Sequence, residues 1–187
     1  MAINFRIYVA SLSDYNNGIL HGAWIDFEDC ASADCVRDKI SAMLATSPYT
    51  SSASAMEYGL KAEEWAIHDY ELPGSMKIDE YEDIDLLWSC YETIQELEED
   101  EIEPFFAFLD NEGGKYPLCD DIENFRNAYR GTYSSEEEFA EELVDELGYL
   151  DEMPDHLRSY FDYAALARDL FMGDYYMVDD YVFSNNY

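Results

Sequence analysis

The sequence predicts an α+β protein, elongated and built of three small modules. Residues 1–75 read as an N-terminal antiparallel sheet with one helix, residues 76–113 as a central acidic helical module, and residues 114–187 as a C-terminal acidic mixed α+β module. Three observations predict this class. Short apolar, partly alternating runs bounded by turn chemistry mark strands near both ends of the chain. Apolar residues at helical spacing fill the middle and much of the last third. Hydrophobic residues make up 48% and aromatics 16%, enough for real cores and against disorder despite a net charge of -33.

Phe5–Ala10 is apolar and partly alternating, as a strand requires. Asp14–Gly18 is turn chemistry, with Asn17-Gly18 the strongest cue. Ile19–Phe27 then reads as a second strand, antiparallel to the first. Val36, Ile40, Met43 and Leu44 sit at helical spacing within Ala33–Leu44. Thr46–Ala55 is small, polar and uncharged and reads as a flexible excursion. Glu64–Leu72 is a third strand, closed by Pro73-Gly74.

In the middle, Asp79–Leu97 carries Ile84, Leu87, Trp88, Tyr91, Ile94 and Leu97 near a 3.6-residue period, a helix. Pro104 fits the first turn of the next helix, through Phe105–Leu109, and Gly113-Gly114 marks its end and a module boundary. Asp120–Asn127 reads as a short helix and Ala128–Tyr133 as a strand. Ser134 or Ser135 caps a helix ending at Gly148, with Glu137 or Glu138 at capping-box distance. Pro154 opens a helical stretch to Phe171. Tyr175–Val178 and Tyr181–Ser184 form a closing hairpin around Asp179-Asp180.

The charge is the outlying property. The chain has 43 acids against 10 bases. Residues 1–60 hold 7 acids and 3 bases, and residues 61–187 hold 36 and 7, so the acidity belongs to the last two-thirds. Such a field repels nucleic acid and acidic membranes and attracts basic partners. The skew argues for a specific use over a general adaptation to salt. Candidate partner-binding carboxylates are Asp79, Glu80, Glu82, Asp83, Glu92 and Glu96 in the first acidic helix region, then Glu98, Glu99, Asp100, Glu101 and Glu103. Glu136, Glu137, Glu138, Glu141, Glu142, Asp145 and Glu146 follow, and then Asp151, Glu152 and Asp155. Between Ser134 and Gly148 there is no base. Glu137, Glu141 and Asp145 form one row at i, i+4, i+8, and Glu138, Glu142 and Glu146 a second. Like charges so placed cost about 0.2–0.5 kcal/mol per pair. One such face is an ordinary solvated surface, but the pattern recurs in at least three segments.

Duplex DNA carries one charge per about 1.7 Å of axis, so thirty-three charges correspond to about 56 Å of duplex. A compact globule of this length has a radius of gyration of about 16 Å. Charge at DNA-like density therefore calls for modules laid end to end, and a two-fold dimer would double the reach.

Catalytic and metal signatures are weak. Carboxylate pairs occur everywhere, so none is marked for acid–base work. His21, His68 and His156 do not form a metal site, with His68 placed in a strand. Asp110–Lys115 lacks the oxygen at position 5, the glycine at 6 and the glutamate at 12 of a calcium loop. There is no phosphate-binding loop, dinucleotide fingerprint or GxSxG. The expectation is a protein without cofactor or metal that is not an enzyme; the alternative is a carboxylate-dependent hydrolase with a buried acid pair, and a third reading is a salt-adapted structural protein. Cys30, Cys35, Cys90 and Cys119 show no CxxC spacing, and no signal peptide or run of about 18 apolar residues is present, so a cytoplasmic protein with no membrane partner is expected. Phe125, Tyr129 and Tyr133, on an aromatic strand region flanked by Arg126 and Arg130, are the candidate dimer contact; an ordinary internal strand is the equal alternative.

Several strings together resemble the ArdA antirestriction family: Ile7-Tyr8-Val9-Ala10, Tyr15-Asn16-Asn17-Gly18 and Gly22-Ala23-Trp24-Ile25-Asp26 near the start, and Ala66–Pro73 after them. Glu138-Phe139-Ala140-Glu141-Glu142 through Glu146–Leu150, and Pro154 through Tyr160–Tyr163 and Ala167–Leu170, are similar to its acidic helix and C-terminal signature. The matches keep their order over nearly the whole chain, and none is catalytic. The Thr46–Ala55 excursion is longer than the family's connection there. The resemblance implies an elongated three-domain homodimer that mimics bent B-form DNA. It would occupy the DNA-binding groove of the methyltransferase core of type I restriction–modification enzymes and protect incoming mobile DNA.

Overall fold

The computed structural model describes residues 4–187 and is α+β, as the sequence predicts. Two compact units emerge from its contacts: residues 1–99 with 115–119, and residues 100–114 with 120–187. The chain thus passes between the units three times.

The first unit is built on a three-stranded antiparallel sheet, β1 (Arg6–Ser11), β2 (Gly22–Asp26) and β3 (Trp65–Glu71), in the order β2-β1-β3. Alternation sets its faces: Ile7 and Val9 are buried, while Tyr8 packs on Trp24 across the register pair, ring centroids 5.5 Å apart. Tyr8 pairs with Asp69 and Val9 with Ile67, so His68 is the extra residue of a bulge. The expected turn after β1 winds into one helical turn, α1 (Leu12–Tyr15), capped by Ser11. The second strand starts at Gly22, three residues later than predicted, because the Ile19 N–H turns back to the Asp14 carbonyl. Helix α2 (Ala33–Ala45) buries Val36, Ile40, Met43 and Leu44, the predicted stripe.

Thr46–Ala55, expected as a flexible excursion, instead folds into turns and a short helix, α3 (Ala53–Glu57), capped by Ser52. Its anchor is the buried Asp14 carboxylate, which accepts from the Tyr49 N–H at 2.9 Å and from the Ser11 hydroxyl at 2.6 Å. Helix α4 (Ile84–Gln95) starts five residues later than predicted. Asp83 caps it, accepting from the Asp85 and Leu86 N–H groups. Residues before it are drawn to the sheet instead, where the Ile67 N–H donates to the Glu80 carbonyl at 2.8 Å. The core joins sheet and helices through Phe5, Phe27, Trp88 and Tyr91, with Phe5 and Phe27 centroids 4.8 Å apart.

In the second unit α5 (Ile102–Asn111), α6 (Cys119–Ala128) and a second antiparallel sheet form the core. That sheet, β4 (Tyr129–Thr132), β5 (Tyr175–Val178) and β6 (Tyr181–Ser184), has the order β4-β6-β5. Asp179, at φ 52, makes the predicted hairpin turn in the left-handed region that aspartate tolerates. Phe105, Phe108, Phe125 and Phe183 are fully buried and meet ring to ring. Helix α7 (Glu136–Leu147) packs on α9 (Tyr163–Leu170). The helix expected from Pro154 to Phe171 is two: α8 (Asp155–Arg158) and α9, because Asp162 caps a fresh start by accepting from the Ala165 N–H.

Candidate functional site

The acidic candidates separate by what the fold asks of them. All are exposed except Glu82 and Glu101, which are half-buried. In the first unit, the segment before α4 is held by its few cations. Lys115 pairs with Asp79 at 3.0 Å and Glu82 at 3.7 Å, and its ammonium lies 4.7 Å from the Tyr116 ring centroid. Tyr116 donates a short hydrogen bond to Glu82. Burial pushes the Glu82 carboxyl up, but Tyr116, the Asp79 N–H and Lys115 outweigh it and hold the group below its ordinary value. Glu80 lies 3.9 Å from His68, and Asp83 is spent as the α4 cap. Glu92 stands exposed on α4 and Glu96 at its C-cap; Glu98 and Glu99 follow, also exposed.

In the second unit Arg126 grips Glu101 in a two-pronged contact at 2.8 and 2.7 Å, and the Tyr181 hydroxyl donates to Glu103 at 3.0 Å. Asp100 is exposed. Arg158 lies 3.7 Å from Asp155. Helix α7 is different. Ser135 caps it, accepting from the Glu138 N–H at 3.2 Å, and Glu138 accepts from the Ser134 N–H and hydroxyl at 2.7 and 2.6 Å. Those Ser134 bonds hold the Glu138 carboxyl below its ordinary value. Glu136–Glu138 in the first turn suit the positive helix end. Beyond the cap, Glu136, Glu137, Glu141, Glu142, Asp145 and Glu146 are exposed, and none has an ion pair among the described residues. The rise of about 1.5 Å per residue spaces each row at about 6 Å. Asp151 and Glu152 continue the acidic run past Gly148, exposed. Burial and then Glu142 and Glu146 push the nearby Tyr133 hydroxyl above its ordinary value.

Phe125 is buried in the second unit's core, and Tyr129 stacks on it at 5.2 Å. Tyr133 packs edge-on against Phe139 at 5.1 Å. Strand β4 pairs on one side only, with β6, so it is an edge of its sheet. Of the three candidate dimer residues, Tyr129 and Tyr133 lie at or beside that edge, and Phe125 supports them from within. Arg130 donates to the Asn127 and Tyr129 carbonyls.

A buried acid pair needs two shielded carboxylates. Among the described residues the buried carboxylate is Asp14 alone, and both its oxygens are engaged in structure. Burial raises its pKa, but the Ser11 and Ser47 hydroxyls, the Tyr49 N–H and His21 outweigh that and leave it lowered. No group of three His, Cys, Asp or Glu able to hold a metal occurs among the described residues, and no described helix is long and apolar enough to cross a membrane.

A sequence model of the antirestriction protein family ArdA matches residues 7–183. The chain belongs to the ArdA family. The ArdA match begins on β1 and ends on β6, so it takes in both sheets and α7. Antirestriction is therefore the family activity in which these acidic faces are to be read. A search of curated proteins finds no match.

Proposed function

We propose that the protein inhibits type I restriction–modification enzymes by presenting carboxylates where DNA presents phosphates. The observation that carries this reading is the double row on α7. A helix that served only as solvated surface would gain by mixing in lysines; this one keeps repulsive neighbours at i, i+4 with no base among them. Basic DNA-binding grooves replace the counterions around phosphates with Lys and Arg, and the same side chains would meet Glu137, Glu141, Asp145, Glu142 and Glu146. The first unit's paired carboxylates, Asp79 and Glu82 among them, fix the local fold and add to the field. The groove belongs to the methyltransferase core, so incoming DNA would be protected by exclusion. The inhibitor acts as a homodimer in this reading, with the open edge of β4 and Tyr129 and Tyr133 at the two-fold contact.

The test is competition. A type I restriction–methylation complex bound to labelled duplex is titrated with the protein at low salt. Displacement of the duplex is expected, and failure to displace it overturns the reading.

A further inference from the structure

The first unit contains a cavity of about 450 Å³ that the acidic rows do not account for. Leu12, Glu63, Glu64, Trp65, Tyr81 and Glu82 line it. Its walls are pinned by main-chain bonds: the Leu12 N–H donates to the Glu64 carbonyl at 3.1 Å, and the Ile67 N–H to the Glu80 carbonyl at 2.8 Å. The second bond brings the segment carrying Tyr81 against the strand carrying Trp65. Tyr81 is 68% exposed, so its ring is accessible to a partner at the mouth of the hollow. The Glu63 and Glu64 carboxylates are exposed and have neither hydrogen bond nor ion pair among the described residues. Glu82 is already held by Tyr116 and Lys115.

Two aromatic side chains, two unspent carboxylates and one apolar wall in a preformed hollow match one chemistry, a cation with a flat face and an apolar stem. A guanidinium stacks flat on rings and offers donors in a fork that suits carboxylates; an ammonium makes a cation–π contact but has neither the plane nor the fork. The same unit already holds one cation between a ring and a carboxylate, in Lys115 over the Tyr116 ring beside Asp79. We infer that the hollow lined by Trp65, Tyr81, Glu63 and Glu64 is an arginine pocket, which receives one guanidinium side chain of a basic partner protein. The inference rests on the reading above for the identity of that partner, since a phosphate-binding arginine is what a DNA groove would insert. It adds a specific anchor to a surface that otherwise acts through diffuse charge.

The experiment uses the full chain and a blocked Gly-Arg-Gly peptide, with the citrulline peptide as neutral isostere. The Trp65 indole resonance is assigned by its loss in Trp65→Phe. The arginine peptide is expected to shift that resonance saturably and the citrulline peptide not. Tyr81→Ala and the Glu63→Gln/Glu64→Gln pair are each expected to weaken arginine binding about tenfold, with the circular dichroism unchanged. Glu141→Gln/Glu142→Gln on α7 is expected to leave it unchanged. Equal shifts by the two peptides, or equal weakening by the α7 pair, overturns the pocket. Arginine binding at the pocket without displacement of duplex in the competition assay keeps the pocket and sinks the inhibitor reading. Displacement without arginine binding does the reverse.

Discussion

Asp14 shows what a single carboxylate does here when it is not on the surface. It is fully buried and ties α1 to the turn at Tyr49. Replacing it with Ala strands the Tyr49 N–H and the Ser11 hydroxyl, and the expected loss is about 2–3 kcal/mol in urea unfolding. Its pKa is lowered in the folded state, so its contribution is complete above the unfolded value of about 3.9 and is lost as pH falls through the folded one. Asp14→Asn removes the charge with little change of shape. The stability gap between wild type and Asp14→Asn is therefore expected to be constant near neutrality and to shrink below about pH 4. A gap that widens on acidification would contradict the assignment. None of this was legible in the sequence, where Asp14 read as turn chemistry; its partner at Tyr49 is 35 residues away.

At the scale of elements, α7 combines a well-made cap with a poorly balanced surface. Ser135→Ala is expected to cost about 1 kcal/mol of stability. Gly148, at φ 66, ends the helix, and an added Cβ would meet the Asp151 carboxylate at 2.6 Å. Gly148→Ala is expected to destabilise by about 1 kcal/mol or more, read as a fall in Tm. Glu141→Lys separates folding from function. It turns repulsions with Glu137 and Asp145 into attractions, so stability should rise by about 0.5–1.5 kcal/mol. Competition with duplex should weaken at the same time. Weaker competition with lower stability would point to a structural role for the row instead.

The helices and strands that periodicity reveals were readable: β1, α2, α7 and the closing hairpin fall within a residue or two of prediction. The departures have local causes, in caps and turns such as those of Asp83 and Asp162, and tertiary ones. The helical period read over Asp79–Leu97 extends over residues 79–83, but the β3 edge and the Asp83 cap claim them first. The serine-rich stretch became turns and α3 because a buried carboxylate anchors it. Which carboxylates are spent was also hidden, since Lys115 meets Asp79 across 36 residues and Arg126 meets Glu101 across 25. The α7 rows were legible because their meaning lies within one helix.

For the molecule as a whole, a net charge of -33 acts on stability and binding in opposite directions. Salt screens self-repulsion, with a Debye length of about 10 Å at 0.1 M, so Tm should rise with added NaCl. The same screening should raise the concentration needed to displace duplex. A Tm that falls with salt while competition strengthens would contradict both uses of the charge.

The three chain crossings between the units have a consequence for inheritance. A hybrid gene joined once, between codons 99 and 100, would take its acidic second unit from one parent. It would also import that parent's version of residues 115–119, a strip that completes the first unit. Lys115 and Tyr116, which secure Asp79 and Glu82, would then come from the wrong parent. Single crossovers are thus expected to yield impaired hybrids unless both parents carry a cation and a phenol there. The two units would pass between lineages together, as one heritable block.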